Sequence, residues 1–144
     1  MKVLGINHIG IAAKDPQRAQ WFFREVLGLP FHGDELVKEQ KTMTHMFAAS
    51  TKGASFPDSR LEIVANHQDE DGPIKKFIET RGGGIHHIAL AVDDVKEAIS
   101  HIKRHDVVMI DEVPRAGAHN TQIAFVHPKS TGGVLIELVQ EAST

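Results

Sequence analysis

With 144 residues, 41% of them hydrophobic, the chain is long enough to bury the core of one ordinary domain and too short for two full-sized ones. Its net charge of −3, with mixed signs, gives no basic surface for nucleic acid or an anionic membrane. The absence of cysteine excludes disulfides, thiolate nucleophiles and thiolate metal sites, so protein metal ligands must be His, Asp or Glu.

The first elements along the chain are a strand and a helix. Residues 5–12, GINHIGIA, predict a strand, and Asp15 followed by Pro16 is a typical helix start. An apolar stripe at helical spacing predicts the buried face of this helix: Trp21, Phe22, Val26 and Leu27. Extended segments follow at about 31–38 and 43–49, and RLEIV at 60–64 predicts the last strand of a β-α-β-β-β module.

The same module then recurs. A helix is expected at about 73–80, and three consecutive glycines end it. Residues 84–91, GIHHIALA, repeat the first strand, and Asp93 or Asp94 caps a second helix that runs toward Arg104. Extended segments are predicted near 108–111 and 122–127, and LIELV at 135–139 matches RLEIV. We therefore expect one domain, 1–144, with modules at about 5–66 and 84–140 and a bridging helix at about 73–82.

Four polar residues recur in register in the two modules. Because side chains alternate across a strand, each of the four projects away from its immediate neighbours in the chain. All four can then line the sheet face away from the helices: His8, Glu62, His87 and Glu137. Pairing of the duplicated modules would place His8 beside His87 and Glu62 beside Glu137, where leaving the two imidazoles and two carboxylates unpaired would be costly. The pattern predicts one divalent metal ion, and two nitrogen with two oxygen ligands suit Co²⁺, Ni²⁺, Mn²⁺, Zn²⁺ or Fe²⁺.

These motifs resemble those of the vicinal-oxygen-chelate superfamily, which includes the glyoxalases, bleomycin-resistance proteins and dioxygenases. The similarity runs from about residue 5 to 140, and within the superfamily it is greatest to the methylmalonyl-CoA epimerases. The segments that carry this likeness are PIKKFIETRG at 73–82, PRAGAH at 114–119 and above all HPKSTGGVLIEL at 127–138.

The resemblance implies a fold of the α+β class, in which two βαβββ modules form an eight-stranded open cup around the metal, and a homodimer. It also implies an isomerase that interconverts the 2R and 2S forms of methylmalonyl-CoA by α-proton transfer through a metal-stabilised enolate, with Co²⁺ favoured. The implied partner is therefore a small acyl-CoA molecule. Without a signal-like or spanning apolar segment, we expect no membrane partner and a cytoplasmic location.

Epimerisation removes a proton from one face of the α-carbon and delivers a proton to the opposite face. One base on each face is therefore the simplest arrangement. Glu137 is the first candidate, as a metal-held carboxylate that can reach the α-carbon. Thr44 stands where some relatives carry a glutamate proposed as the second base, which leaves Glu39, His45 and Glu62 as open alternatives.

Two further segments have open roles. Lys129 and Ser130 are possible contacts for a CoA phosphate, although a solvated turn explains them equally well. The connection at 48–59 is longer than in the family and could be a rim loop or a dimer contact.

Two other functions compete with the epimerase. Glyoxalase I, a lactoylglutathione lyase, shares the His-Glu-His-Glu ligand order. A protein of the same fold could also bind a small molecule without chemistry. We favour the epimerase because of the 73–82 and 127–138 segments, and we rank non-catalytic binding lower because all four ligand positions are filled.

Overall fold

The computed structural model describes residues 1–51 and 59–142. Its contacts divide the chain into two units. The amino-terminal unit is His8–His86, and the carboxy-terminal unit combines Met1–Asn7 with His87–Thr144. The 48–59 connection lies mostly outside the described residues.

The amino-terminal unit contains the first module and the helix that follows it. Its strands and helices are β1 (Val3–Ala12, which begins in the other unit), α1 (Pro16–Trp21), β2 (Phe31–Val37), β3 (Thr42–Ala48), β4 (Arg60–Asn66) and α2 (Pro73–Arg81). The strands are ordered β2-β3-β4-β1, with β1 parallel to β4 and the other pairs antiparallel. The predicted strands and bridging helix are confirmed, with bounds that shift by one or two residues.

The first helix begins as expected but buries a different face. The Asp15 carboxylate accepts the Arg18 backbone N–H at 3.0 Å, as an N-cap does. After Trp21 the helix becomes a π-helix, in which the Leu27 N–H donates to the Phe22 carbonyl. The wider turn rotates the following side chains relative to an α-helix.

The predicted buried stripe of this helix is wrong. All four of its residues are more than 40% exposed: Trp21, Phe22, Val26 and Leu27. Phe23 packs toward the sheet instead, with its ring centroid 5.8 Å from that of the fully buried Phe47.

The carboxy-terminal unit contains the second module. Its elements are β5 (Gly84–Val92, which begins in the other unit), α3 (Val95–Lys103), β6 (Arg115–Ala116), β7 (Gln122–Val126) and β8 (Ile136–Gln140). The strands are ordered β5-β8-β7-β6, with β5 parallel to β8 and the other pairs antiparallel. Asp94 is the cap of α3, since its carboxylate accepts the Glu97 N–H at 3.0 Å.

The strand predicted near 108–111 is wrong. Only Met109 forms an isolated bridge there, to Val126. The N–H groups of Ile110 and Asp111 both donate to the Phe125 carbonyl, and the Asp111 carboxylate accepts the Phe125 N–H at 2.8 Å. A side chain thus replaces the backbone partner that a continued strand would supply, and the edge strand forms later, at Arg115–Ala116.

The second module buries both faces of its sheet. One face packs against α3 in a core cluster that includes Val95, Ile99, Ala124 and Leu138. The opposite face carries a smaller apolar cluster: Ala89, Ile123, Phe125 and Val139. Among the described residues, no helix has both the length and the apolar character needed to cross a bilayer.

Candidate metal centre

In the amino-terminal unit, His8 and Glu62 lie on one face of neighbouring strands. Gly10 on β1 is paired with Glu62 on β4, and His8 is two residues before Gly10, so the side chains of His8 and Glu62 share a face. His8 Nε2 lies 3.6 Å from Glu62 Oε1, and the residues are only 4% and 5% exposed. Strand pairing therefore builds a buried imidazole–carboxylate pair.

The carboxy-terminal unit repeats this arrangement. Ala89 on β5 is paired with Glu137 on β8, and His87 is two residues before Ala89. His87 Nε2 lies 3.0 Å from Glu137 Oε2, and the two residues are 4% and 6% exposed. Within each unit, the histidine therefore lies beside the glutamate of its own module.

The second pair has an apolar surround. The rings of His87 and Phe125 meet edge to face with centroids 5.9 Å apart, and Val139 is almost completely buried on the same face. Such surroundings lower the local dielectric, which strengthens electrostatic interactions at the pair and makes an uncompensated charge costly.

The residue types and burial fit a divalent cation. A buried carboxylate needs a cation or several hydrogen-bond donors, and a neutral imidazole offers one lone pair to a metal. Each pair supplies one nitrogen and one oxygen ligand of the borderline-to-hard kind that first-row divalent ions accept. This donor set excludes neither Co²⁺ nor the other ions expected from sequence.

The candidates for a second base occupy different environments. Thr44 is buried, and its hydroxyl donates to the Glu35 carbonyl at 3.0 Å. Glu39 is exposed in a 3₁₀ turn, Lys38–Gln40. His45 adjoins Met46, which is paired with Glu62, so His45 points to the opposite face.

His45 has a partner of its own on that face. Its Nδ1 lies 2.5 Å from Asp34 Oδ1. Of the three alternatives for the second base, Glu62 is therefore the one that shares a face with a predicted metal ligand.

The two predicted CoA contacts lie in a short turn after β7, Pro128–Ser130. Lys129 is exposed, and its N–H donates to His127 Nδ1 at 3.1 Å. The Ser130 hydroxyl accepts the Val108 N–H at 3.2 Å, so it has a structural role in holding this turn.

The neighbouring histidine behaves as strand alternation requires. His86 packs edge to face against Phe77 of α2 with centroids 5.0 Å apart. It therefore packs between β5 and the bridging helix.

Sequence reasoning missed two residues beside His87 and Glu137. Phe125 is paired with Glu137 across β7 and β8, and Arg115 lies with its guanidinium carbon 5.4 Å from the centre of the Phe125 ring. Alternation along QIAFV could have placed Phe125 on this face once the register was known. Arg115 could not be found, because the segment around it reads as a loop.

Comparison with known proteins identifies the family. Residues 7–125 match the family model for the Glyoxalase/Bleomycin resistance protein/Dioxygenase superfamily. The chain belongs to this superfamily.

Several relatives are similar over nearly their full length. The ethylmalonyl-CoA/methylmalonyl-CoA epimerase of Cereibacter sphaeroides is 31% identical over 94% of this chain and 96% of its own. The protein YqjC of Bacillus subtilis, which is uncharacterised, is 36% identical over 94% and 91%. A structure of methylmalonyl-CoA epimerase in complex with methylmalonyl-CoA and NH4+ matches with a TM-score of 0.89 and 31% identity, covering 99% of this chain and 97% of the other.

The likeness to solved members of the superfamily confirms the expected fold. Each unit has a four-stranded mixed sheet, ordered β2-β3-β4-β1 in the first and β5-β8-β7-β6 in the second. The relatives also support an epimerase-like isomerase with a small CoA-linked partner.

Proposed function

We propose that this protein is a metal-dependent epimerase that interconverts the 2R and 2S forms of methylmalonyl-CoA. The observation that carries the proposal is the repetition of a buried His–Glu pair on equivalent strands of the two modules. Further support comes from full-length similarity to proteins named as epimerases of this substrate. A paired set of buried ligands and bases is what proton transfer beside a thioester requires.

In this proposal His8, Glu62, His87 and Glu137 hold one divalent ion, with Co²⁺ favoured. Support for a metal centre is that each unit supplies a buried imidazole–carboxylate pair. When bound, the ion would supply Lewis-acid stabilisation of the negative charge that develops on the substrate oxygens.

The protein's own groups would move the proton. We assign Glu137 as a base because its carboxylate is buried beside Phe125 in an apolar surround, where proton exchange with solvent is restricted. We assign Glu62 as a ligand only, which leaves the second base open. Lys129, exposed on its turn, is the proposed contact for a CoA phosphate.

Incubation with methylmalonyl-CoA in D₂O tests the proposed reaction. The Co²⁺-reconstituted protein should exchange the α-proton for deuterium and convert either 2-epimer into a mixture of both. Mass spectrometry follows the exchange, chiral analysis follows the epimers, and chelator-treated protein is the control.

A different outcome would favour a rival function. Turnover of methylglyoxal with glutathione, with no deuterium entering methylmalonyl-CoA, would replace the epimerase with a glyoxalase I type isomerase. Tight binding of the acyl-CoA, with neither reaction, would identify a non-catalytic binding protein.

A homodimer is also part of the proposal. The four exposed apolar residues of the first helix offer a surface for a second copy: Trp21, Phe22, Val26 and Leu27. Light scattering coupled to size-exclusion chromatography should therefore give about twice the 15.8 kDa of one chain. A mass of one chain at micromolar concentration would contradict the dimer and leave the reaction assignment untouched.

A further inference from the structure

Arg115 lies on the same sheet face as the His87–Glu137 pair. In the antiparallel pairs, Arg115 is opposite Ile123, and Ile123 is opposite Val139, two residues after Glu137. Directly opposed residues in a sheet project to the same face. The register therefore places one basic side chain on a face where the second module carries its buried acid and imidazole.

Contacts agree with this placement. The guanidinium carbon of Arg115 is 5.4 Å from the centre of the Phe125 ring, and that ring is 5.9 Å from the ring of His87. One aromatic side chain thus separates the guanidinium from the imidazole. A guanidinium over an aromatic ring is held by cation–π attraction and loses less entropy when it binds an anion.

Asp111 forms an ion pair with Arg115, although Nε of Arg115 makes no hydrogen bond to any described residue. Its Oδ1 lies 3.3 Å from Arg115 Nε, while its Oδ2 accepts the Phe125 N–H at 2.8 Å. The carboxylate is therefore anchored to β7 and contacts the inner nitrogen of the guanidinium. Within residues 1–51 and 59–142, no other acidic side chain lies within ion-pair distance of Arg115.

The side chain of Arg115 is 36% exposed, so it is both oriented and accessible. A guanidinium with a carboxylate at Nε can still use its two terminal amino groups as a fork for a planar anion. A carboxylate is the anion that matches this fork. The proposed substrate carries one, next to the carbon that loses its proton.

We infer that Arg115 binds the free carboxylate of the acyl group and thereby determines specificity for a carboxylated acyl-CoA. This inference rests on the proposed function and adds a recognition residue to it. Arg115 orients the substrate, while the proton transfer belongs to other groups.

The test compares the affinities of metal-reconstituted protein for malonyl-CoA, for propionyl-CoA and for malonyl-pantetheine by calorimetry. Malonyl-pantetheine keeps the carboxylate but lacks the nucleotide phosphates. Arg115→Gln should weaken both malonyl ligands by about 10- to 100-fold, the range for loss of a charged hydrogen bond. Propionyl-CoA, which has no carboxylate, should bind the variant and the wild type alike.

Three variants serve as controls. Arg104→Gln removes an exposed guanidinium just after α3 and should change none of the affinities. Arg115→Lys keeps the charge without the fork and should recover part of the loss. Asp111→Asn keeps an oxygen that accepts the Phe125 N–H but removes the ion pair with Arg115. Its melting temperature therefore reports how far that ion pair stabilises the 111–116 segment.

Several results would overturn the inference. Equal weakening of both CoA ligands with unchanged malonyl-pantetheine affinity would mean that Arg115 contacts phosphate. Equal losses of melting temperature in Arg115→Gln and Asp111→Asn, with unchanged ligand affinities, would make Arg115 purely structural. Wild-type protein that binds no malonyl ligand would refute it as well, whereas binding without epimerisation would refute only the proposed reaction.

Discussion

Replacing His87 by Ala is expected to abolish tight binding of one divalent ion per chain, and His8→Ala is expected to do the same. Each substitution removes one of two imidazoles from the proposed ligand set and, with it, the ion-pair contact to a buried glutamate. Because loss of a residue that only supports a ligand costs about 10- to 100-fold in metal affinity, loss of a ligand should exceed about 100-fold. Competition with a chelator of known affinity, together with elemental analysis, gives the measurement.

His86→Ala is the matched control for His87→Ala. His86 is the adjacent histidine, but it projects to the opposite face and packs on Phe77. Its removal should therefore lower stability through lost packing and leave metal affinity close to that of the wild type. Circular dichroism would establish that the variants remain folded. One ion retained at wild-type affinity in folded His8→Ala or His87→Ala would refute the assignment of that residue as a ligand.

Glu137→Gln is expected to lose about 10²–10⁴ in kcat, whereas Glu62→Gln should be far milder. The amide oxygen of glutamine can still coordinate, so each variant can keep some metal, but an amide cannot accept the substrate proton. Of these two glutamates, only Glu137 transfers a proton in our assignment. The comparison separates coordination from acid-base work at two positions that the repeat makes equivalent.

The measurement is kcat for epimerisation alongside bound metal in both variants, with rates corrected for occupancy. The apolar surround of Glu137, which includes Phe125 and Val139, is the structural reason to expect the larger effect there. Equal losses of activity at equal occupancy would remove the asymmetry and make Glu62 the second base. This result would agree with the position of Glu62 beside His8, on the face that His45 does not share.

The sequence alone determined the repeat, the strands that carry the site and the facing of its residues. Alternation and duplication singled out His8, Glu62, His87 and Glu137 as one group, whereas the strand registers decided that each histidine lies beside the glutamate of its own module. Successive side chains alternate across any β-strand, so the facing of residues within one strand can be predicted without knowledge of the fold. The sequence also predicted the helix start at Asp15 and the second helix start at Asp93 or Asp94, because capping depends on residues within one turn. The structure selects Asp94 for the second helix.

Only the tertiary structure decided what depends on non-local partners. The stripe predicted to be buried on the first helix is exposed, because the face that a helix buries depends on the surface against which it packs. The edge strand at Arg115–Ala116 replaced the one predicted near 108–111, because the Asp111 side chain pairs with a β7 backbone group. The pairing of this edge strand with β7 places Arg115 beside Phe125. The register of that pairing depends on contacts between distant segments, which a local sequence pattern does not predict.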